Sequence, residues 1–336
     1  MVRRFNLGDV LLVRRLQGQG VCFDLETALL WAPAPLSMAL LEYLSLNQGR
    51  SSTFVETNPP PDRLARGFVQ AWDRADGLAC DVVFISPSLD GSPATTQLWH
   101  DLLEHLSLVK GDFGLQRIFA KVSEDAGARE IFRQIGFTAY ARRQVFRLEQ
   151  LPSSPGPLRD LPLRAMEERD SLGLQRLHSS IIPRPVQQAE GGAQGARDLD
   201  RLLPWWKARE VREYILADDG EIQAHLRIVI GEQGCWLRIV LRPAVSDQVD
   251  RVLSEALLML SAYPERPVYC SVREYEAGLQ GGLEELGFET VTSELLMVKH
   301  ITVRAKVPVD KLSPAFEKGV ETAAPISRSD SCENAL

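Results

Sequence analysis

Apolar positions repeat along this 336-residue chain in two long series that follow the same order. In TTQLWHDLLEHL (95–106) apolar side chains recur every three or four residues, which predicts a helix with one buried face. The same spacing recurs in DQVDRVLSEALLMLSAY (247–263). Each helix is preceded by a short apolar run that ends at a proline, CDVVFISP (80–87) and CWLRIVLRP (235–243), and such runs are typical of buried strands.

A second pair of matching segments closes each series. AREIFRQIGF (128–137) and LQGGLEELGF (279–288) both place apolar residues on one helical face and then stop at Gly-Phe. Each segment lies between two predicted strands: 117–122 and 138–148 in the first series, 267–272 and 290–300 in the second. Because the order of elements is repeated, we expect the two strands that follow Gly-Phe to contribute to a shared interface.

Turn signals and linker composition divide the chain into two halves. Asp76-Gly77 and Asp219-Gly220 each lie between alternating segments, where Asp-Gly is a strong hairpin signal. The stretch LEQLPSSPGPLRDLP (148–162) combines prolines, serines and a glycine, which is typical of a linker. A second stretch, 183–198, is interpreted as a loose loop inside the second half.

These patterns predict an α/β (α+β) chain of two tandem domains, each a mixed, mostly antiparallel sheet flanked by helices. The expected first domain is 1–150, the linker is 151–160, and the second domain is 161–303. The remaining segment, 304–336, carries proline, serine and glutamate with little periodicity, which predicts a disordered tail.

This order of elements resembles the GNAT acetyltransferase superfamily. The resemblance is carried by VFISP running into helix 95–107 with AREIFRQIGF after it, and again by IVLRP running into helix 247–260 with LEELGF. It implies that the strand before each proline splays from its neighbour and receives the pantetheine arm of acetyl-CoA or another acyl-CoA. It also implies that a loop and a helix N-terminus hold the pyrophosphate, since close backbone N–H groups and the helix dipole attract anions.

The resemblance also implies candidate residues and an activity. The candidate cofactor-binding residues are Ser86, Pro87, Gly91 and Ser92 in the first half, and Arg242 and Ser246 in the second. The implied activity is acyl-CoA-dependent N-acyl transfer to an amine that the sequence does not identify, with the thioester carbonyl polarised by a backbone N–H near Ser86-Pro87 or Arg242-Pro243. Gly91 and Pro87 favour the first half as the cofactor site, and no catalytic residue is assigned.

Both halves depart from the family pattern. In SPSLDGSPATT (86–96), Asp90 stands where the family has Arg or Gln, and Pro93 replaces a glycine and removes an N–H donor. The second loop, RPAVSDQVDR (242–251), has no glycine. Phe132 and Leu283 stand where the family pattern has a tyrosine that returns a proton to the leaving thiolate, so both are expected in the core. The competing function is a non-catalytic tandem GNAT-like protein that serves as a ligand-binding or interaction module.

Short matches to the phosphate-loop letters occur elsewhere. RLQGQG (15–20), RADGLA (74–79) and QAEGGA (188–193) fit the pattern, but none follows a strand and opens a helix. We interpret all three as chance matches.

The remaining candidates are histidines and paired tryptophans. Alternation places His225 with Gln223 and Arg227 on one face of a strand, where an imidazole could act as a base toward an amine, although the favoured interpretation is a solvated face. His178 is interpreted as a helix-end residue. Trp205-Trp206 could line an acceptor pocket or simply pack a helix onto the sheet.

Composition excludes several classes. The chain is 45% hydrophobic and 25% charged, and a net charge of −7 argues against a nucleic-acid partner. Its N-terminus lacks the pattern of a secretory signal, no apolar run is long enough to cross a membrane, and no metal-ligand spacing is visible. The five cysteines are scattered, which favours free thiols in the cytoplasm. The sequence leaves the oligomeric state open.

Overall fold

The computed structural model describes residues 1–44, 51–57, 65–124, 126–151, 161–191, 210–276 and 278–301. The strands are β1 (Val2–Arg4), β2 (Val21–Cys22), β3 (Ser51–Glu56), β4 (Gly67–Asp73), β5 (Ala79–Ser86), β6 (Arg117–Ser123), β7 (Thr138–Leu148), β8 (Leu163–Ala165), β9 (Glu210–Asp218), β10 (Glu221–Ile230), β11 (Cys235–Leu241), β12 (Val268–Arg273) and β13 (Glu289–His300). The helices are α1 (Val10–Leu16), α2 (Leu25–Leu30), α3 (Pro35–Tyr43), α4 (Pro93–Asp112), α5 (Ala126–Gln134), α6 (Ser171–Ile181), α7 (Arg184–Glu190), α8 (Val249–Met259) and α9 (Gly278–Glu285).

The described strands form one mixed sheet in which the two halves exchange their last strands. The order is β1-β3-β4-β5-β6-β13-β7-β12-β11-β10-β9-β8, and β2 pairs with β5 outside this path. Strand β13 of the second half therefore lies between β6 and β7 of the first, and β7 lies between β13 and β12. The two strands that follow Gly-Phe pair with each other along most of their length, which confirms the predicted shared interface.

A pseudo-twofold axis relates the halves and passes between β7 and β13. Phe137 and Phe288 are equivalent and lie 151 positions apart, and so do Arg143 and Glu294, which face each other across the two strands. If the two halves were identical, the same residue type would occupy both of these facing positions. Instead, Arg143 donates from Nε to Glu294 Oε2 at 2.5 Å, so two like charges are avoided at a buried position.

Helices cover both faces of the sheet, and two of them cross between the halves. Helices α4 and α5 cover one face in the first half, as α8 and α9 do in the second. On the opposite face, α2 of the first half packs through Leu30 and Trp31 onto Val229 and Trp236 of the second. Helix α7 of the second half packs onto β5 and β6 of the first half through Ala189.

The two halves begin with the same local motif. Arg3 donates two hydrogen bonds of 2.7 Å to Asp9, and Asp9 also accepts the N–H of Asn6 at 2.9 Å. Arg164, Asp170 and Glu167 repeat all three contacts at the same distances. The acidic residue predicted at each helix start thus closes a capping box in the turn before the helix and anchors the first strand of its half.

The structure corrects one predicted loop and leaves others untested. Helix α7 occupies residues 184–190, part of the stretch that was predicted to be loose, because Pro183 precedes its first turn and Gly191, at φ +83°, ends it. The remainder of that stretch, Trp205-Trp206, most of the linker and the tail 304–336 lie outside the described residues. The domain boundaries therefore stay predictions.

Candidate functional site

In both halves two parallel strands diverge shortly after they pair. Strand β5 pairs with β6 only from Ala79 to Asp81, although β5 continues to Ser86. Strand β11 pairs with β12 only from Cys235 to Leu237, although β11 continues to Leu241. Each half therefore contains the V-shaped gap that the GNAT resemblance implies.

The gap in the first half is filled by the chain itself. Strand β2 pairs with β5 at Phe84 and Ile85, and the N–H of Phe23 donates to the carbonyl of Val83 at 2.9 Å. A Cβ atom on Gly20 would lie 2.3 Å from the ring of Phe84, so only glycine permits this approach. The edge of β5 where a pantetheine arm would bind is therefore covered by the β2 segment.

Aromatic side chains complete this filling. The ring of Phe23 packs edge-on against Trp99 at 5.9 Å and against Phe132 at 5.4 Å between centroids. Phe132 is fully buried, as expected from the sequence. The first half thus places a closed apolar cluster in the gap.

The predicted loop residues of the first half serve helix α4 and its neighbours. Ser86 donates its hydroxyl to the carbonyl of Leu16 at 2.6 Å, and the carbonyl of Pro87 accepts from Trp99 Nε1 at 2.8 Å. Ser92 caps α4 by accepting the N–H of Thr95.

An aspartate completes the loop at the start of α4. Asp90 accepts from the Thr95 hydroxyl and from the N–H of Ser92, and these hydrogen bonds lower its pKa to about 2. Gly91 lies between Asp90 and Ser92 and has a φ of +80°. A carboxylate therefore lies where a pyrophosphate would be expected.

The gap in the second half leads into an open cleft of about 240 Å³. Its walls come from the end of β11, the starts of α8 and α9, the end of α6 and the turn after β12: Ile181, Leu241, Arg242, Pro243, Val249, Tyr275, Glu276, Gly278 and Leu279. Because the N–H of Cys235 points to β12, alternation aims the N–H and carbonyl groups of Ile239 and Leu241 into the gap. On the side of β11 that faces the gap, no described strand pairs with β11 beyond Leu237.

The two predicted cofactor residues of the second half flank this cleft. Arg242 lines the cleft and donates from Nε to the carbonyl of Ile222 at 3.1 Å. Its Nη1 atom lies 3.2 Å from Oε2 of Glu221. Ser246 lies in the 3-10 turn Pro243–Gln248 that leads into α8, and its side chain is outside the described part of the chain.

A buried ion pair closes the inner end of the cleft. Arg238 donates to both carboxylate oxygens of Glu276, at 2.7 and 2.8 Å, and to the carbonyl of Ser271 at 3.2 Å. The guanidinium thus spans the two strands where their backbone ladder ends. Arg238 lines a second cavity and Glu276 lines the cleft, so the ion pair lies between the two.

A tyrosine hydroxyl that sequence reasoning missed lies beside this pair. Tyr275 lines the cleft and accepts a hydrogen bond of 2.7 Å from Arg273. Burial raises the pKa of Tyr275, so the hydroxyl keeps its proton at neutral pH. Leu283, at the position where the family pattern has tyrosine, is fully buried. The tyrosine is instead on the turn before α9, and its only sequence signal is an aromatic residue two positions after the end of β12.

The second cavity, of about 60 Å³, lies near the pseudo-twofold axis under α2 and α6. It is lined by Glu26, Asp81, Phe119, Ala120, Lys121, Tyr140, Arg143, His178, Ile182, His225, Trp236, Arg238, Ser271, Arg273 and Leu296. We call it the central cavity. Both halves contribute to it.

The central cavity overturns one expectation from the sequence. His225 and Arg227 are 5% and 4% exposed, so the strand face that was interpreted as solvated is buried. Alternation placed His225 and Arg227 on one face correctly, but a bulge at Gln223 brings Ile222 onto the same face. Both α6 and α2 cover this face: His178 of α6 lies against His225, and Glu26 of α2 lies 3.9 Å from Arg227. His178 lies in the last turn of α6 as predicted, and its ring is 5.9 Å from that of His225.

The donor sets bear on which ligands the chain could hold. Among the described residues no group of three or more His, Cys, Asp or Glu side chains could hold a metal ion, and no described helix is long and apolar enough to span a bilayer. The strand edge in the second cleft is open, which the pantetheine arm of an acyl-CoA would require. Arg242 is a cation on the wall of this cleft, and Asp250 lies in the first turn of α8, so phosphate groups there would meet both a cation and an anion.

Comparison with solved structures supports the GNAT fold. No protein-family model matches the chain, and no curated protein matches it. Its structure is similar to that of a GCN5-related N-acetyltransferase from Sphaerobacter thermophilus, with 16% identity, a TM-score of 0.53, and coverage of 90% of this chain and 95% of that one. A tandem GNAT protein from the clavulanic acid biosynthesis pathway is 13% identical, with a TM-score of 0.49 and coverage of 75% and 83%. A GCN5-related N-acetyltransferase from Anabaena variabilis is 11% identical, with a TM-score of 0.47 and coverage of 90% and 73%. With its repeated strand order and its two diverging strand pairs, the chain has the GNAT acetyltransferase fold in two tandem copies.

Proposed function

We propose that this protein is an acyl-CoA-dependent N-acyltransferase that binds acyl-CoA in the second-half cleft and an amine in the central cavity. The divergence of β11 from β12 carries this proposal, because it leaves an open strand edge beside a cleft of about 240 Å³. In the first half the corresponding edge is covered by β2. The proposal therefore reverses the preference for the first half that Gly91 and Pro87 suggested.

The reaction would be direct transfer. The neutral amine attacks the thioester carbonyl, the C–N bond forms, the C–S bond breaks, and the amine proton passes to a base. The backbone N–H of Ile239 or Leu241 is placed to stabilise the developing oxyanion. His225 is the candidate base, and Tyr275 is the candidate acid that protonates the leaving thiolate. For the amine and the thioester to meet, Arg238 must move from the gap.

Two glycines on α9 allow a matched test of the cleft. A Cβ atom at Gly278 or at Gly281 would meet nothing within 4 Å, and only Gly278 lines the cleft. We expect Gly278→Trp to weaken acetyl-CoA binding at least about tenfold in calorimetric titration, and Gly281→Trp to leave it unchanged. An equal loss in both variants, or no binding by the unmodified chain at millimolar acetyl-CoA, would refute the proposed site.

Tyr275→Phe tests the assigned proton donor. Loss of a general acid costs about 10²–10⁴-fold in rate, so kcat for thiol release is expected to fall by about that factor. Acetyl-CoA affinity should stay within a few fold, because the hydroxyl is one of several cleft contacts. If Tyr275→Phe leaves kcat and its alkaline pH limb unchanged, Tyr275 is not the acid.

A non-catalytic acyl-CoA-binding module is the second candidate. It is favoured by the Arg238–Glu276 pair, which blocks the path from the cleft to the central cavity. Acetyl-CoA binding that depends on Gly278 but gives no thiol release with any amine would support this function over acyl transfer.

A further inference from the structure

We propose that the acceptor is a small amine that also carries a carboxylate, as an amino acid does, and that Arg143 binds this carboxylate in the central cavity. This inference rests on the proposed function for the role of the amine, but the binding site it assigns can be tested without acyl-CoA. It concerns the cavity of about 60 Å³ and not the second-half cleft.

Three arginines line the central cavity, and their hydrogen bonds differ. Arg238 uses its guanidinium on Glu276 and on the carbonyl of Ser271. Arg273 lies 2.9 Å from Glu190 and donates to Tyr275. Arg143 reaches Glu294 through Nε, and its Nη2 group is buried with no hydrogen-bond partner among the described residues.

The unused donor of Arg143 calls for a ligand. A buried donor without a partner destabilises the folded chain, and hydrogen bonds from a charged donor are the stronger ones. The Arg143 side chain is 11% exposed and lines the cavity. The fork of a guanidinium matches the two oxygens of a carboxylate, so an anion of that shape would satisfy Nη2.

The charges around the cavity favour a ligand that is neutral overall. Each of the three arginines already has a carboxylate partner: Arg143 with Glu294, Arg238 with Glu276, and Arg273 with Glu190. A net charge added to such a buried, balanced site would be expensive. A zwitterion adds none, and Glu26 on the cavity wall can face its ammonium group. The other carboxylate on the wall, Asp81, already accepts two hydrogen bonds from Arg74.

Size and chemistry narrow the class further. A cavity of about 60 Å³ is small, so it suits a small amino acid better than a peptide or a sugar. The imidazoles of His178 and His225 line the same cavity, so the amino group would lie beside the candidate base.

The test compares amino acids with the amines that lack only their carboxylate. Glycine is paired with methylamine and alanine with ethylamine, and binding to the full chain is measured by calorimetry without acyl-CoA. We expect the amino acid of each pair to bind at least about tenfold tighter. Equal binding of the amino acid and the amine in each pair, or binding of neither at millimolar concentration, overturns the inference.

Two lysine variants locate the carboxylate. Arg143→Lys keeps a positive charge beside Glu294 but loses the fork, so it should abolish the preference for the amino acid. Arg142→Lys is the matched control, because Arg142 lies next to it on β7, is half-exposed and pairs with Glu124. If Arg143→Lys folds poorly, Arg143→Gln combined with Glu294→Gln removes both charges together. A preference that survives the loss of the guanidinium overturns the assignment.

The result also separates this inference from the proposed function. Amino-acid binding that requires Arg143, without thiol release from acetyl-CoA, supports the site and argues against transfer. Thiol release that proceeds equally with methylamine and glycine supports transfer and overturns the carboxylate site.

Discussion

Removing one partner of the buried Arg238–Glu276 pair is expected to destabilise the second half strongly, whereas removing both partners is not. The proposed perturbations are Glu276→Gln, Arg238→Met and the double variant. The side chains of Arg238 and Glu276 are 17% and 4% exposed, and two hydrogen bonds of 2.7 and 2.8 Å join them. Either single change leaves a charge in the gap between β11 and β12 without its counter-ion.

The magnitude follows from this burial. Breaking a buried ion pair by loss of one partner costs about 3–5 kcal/mol, and replacing both partners by uncharged groups is often close to neutral. In the double variant a glutamine at 276 can still accept the N–H of Arg273, which now donates to Glu276 at 2.9 Å. The cost of the double variant should therefore be at least about 3 kcal/mol smaller than the sum of the two single costs.

Urea unfolding followed by circular dichroism gives the four free energies of the cycle. Glu130→Gln is the control, because the side chains of Arg133 and Glu130 are 68% and 45% exposed and an ion pair in solvent contributes little to stability. Additive costs at Arg238 and Glu276, within about 0.5 kcal/mol, would mean that the pair does not form in the buried gap.

Three further predictions concern stability. Burial raises the pKa of Glu42 to about 7 from its ordinary 4.5, so the stability that Glu42 contributes is present below about pH 4.5 and is lost as the pH rises through 7. In urea unfolding, Glu42→Gln should raise the free energy of unfolding by about 1–3 kcal/mol at pH 8 but not at pH 4.5. An equal effect at both pH values would contradict the raised pKa. Asp9→Ala and Asp170→Ala remove equivalent carboxylates, each of which accepts one backbone N–H in a capping box and two hydrogen bonds from an arginine, and each should cost about 1–2 kcal/mol by the same measurement. A cost at only one position would argue against their equivalence. Fragments 1–155 and 156–336 should each fail to melt cooperatively alone, because each lacks a strand from the middle of its sheet. On mixing they should form a one-to-one complex in size-exclusion chromatography, and cooperative melting of either fragment alone would contradict this dependence.

The order of elements could be predicted from the sequence because hydrophobic period and turn residues encode it locally. The hairpin turns at Asp76-Gly77 and Asp219-Gly220 and the strands after Gly-Phe are where the patterns place them. The exchange of β7 and β13 could not be predicted, because an apolar strand shows the same pattern whether its neighbour comes from its own half or from the other.

The candidate site was only partly predictable for a similar reason. The proline steps at Pro87 and Pro243 located both gaps, but nothing in the local pattern says that residues 21–24 fill the first one. Gly20 belongs to the RLQGQG segment that was interpreted as a chance match, and its role depends on contact with Phe84, more than 60 positions away. Likewise, the contact of Arg227 with Glu26 depends on α2, which comes from the other half.

The exchanged strands have a consequence for synthesis of the chain. At about 5–20 residues per second, the roughly 150 residues from the end of β7 to the end of β13 take about 8–30 s to make. Until then, the facing edges of β6 and β7 have no partner between them and could pair with other chains. Strand β7 carries Arg142, Arg143 and Arg147, and such charges on an open edge oppose association. The arginine that we assign to substrate binding would thus also protect the nascent first half while it waits for its last neighbour.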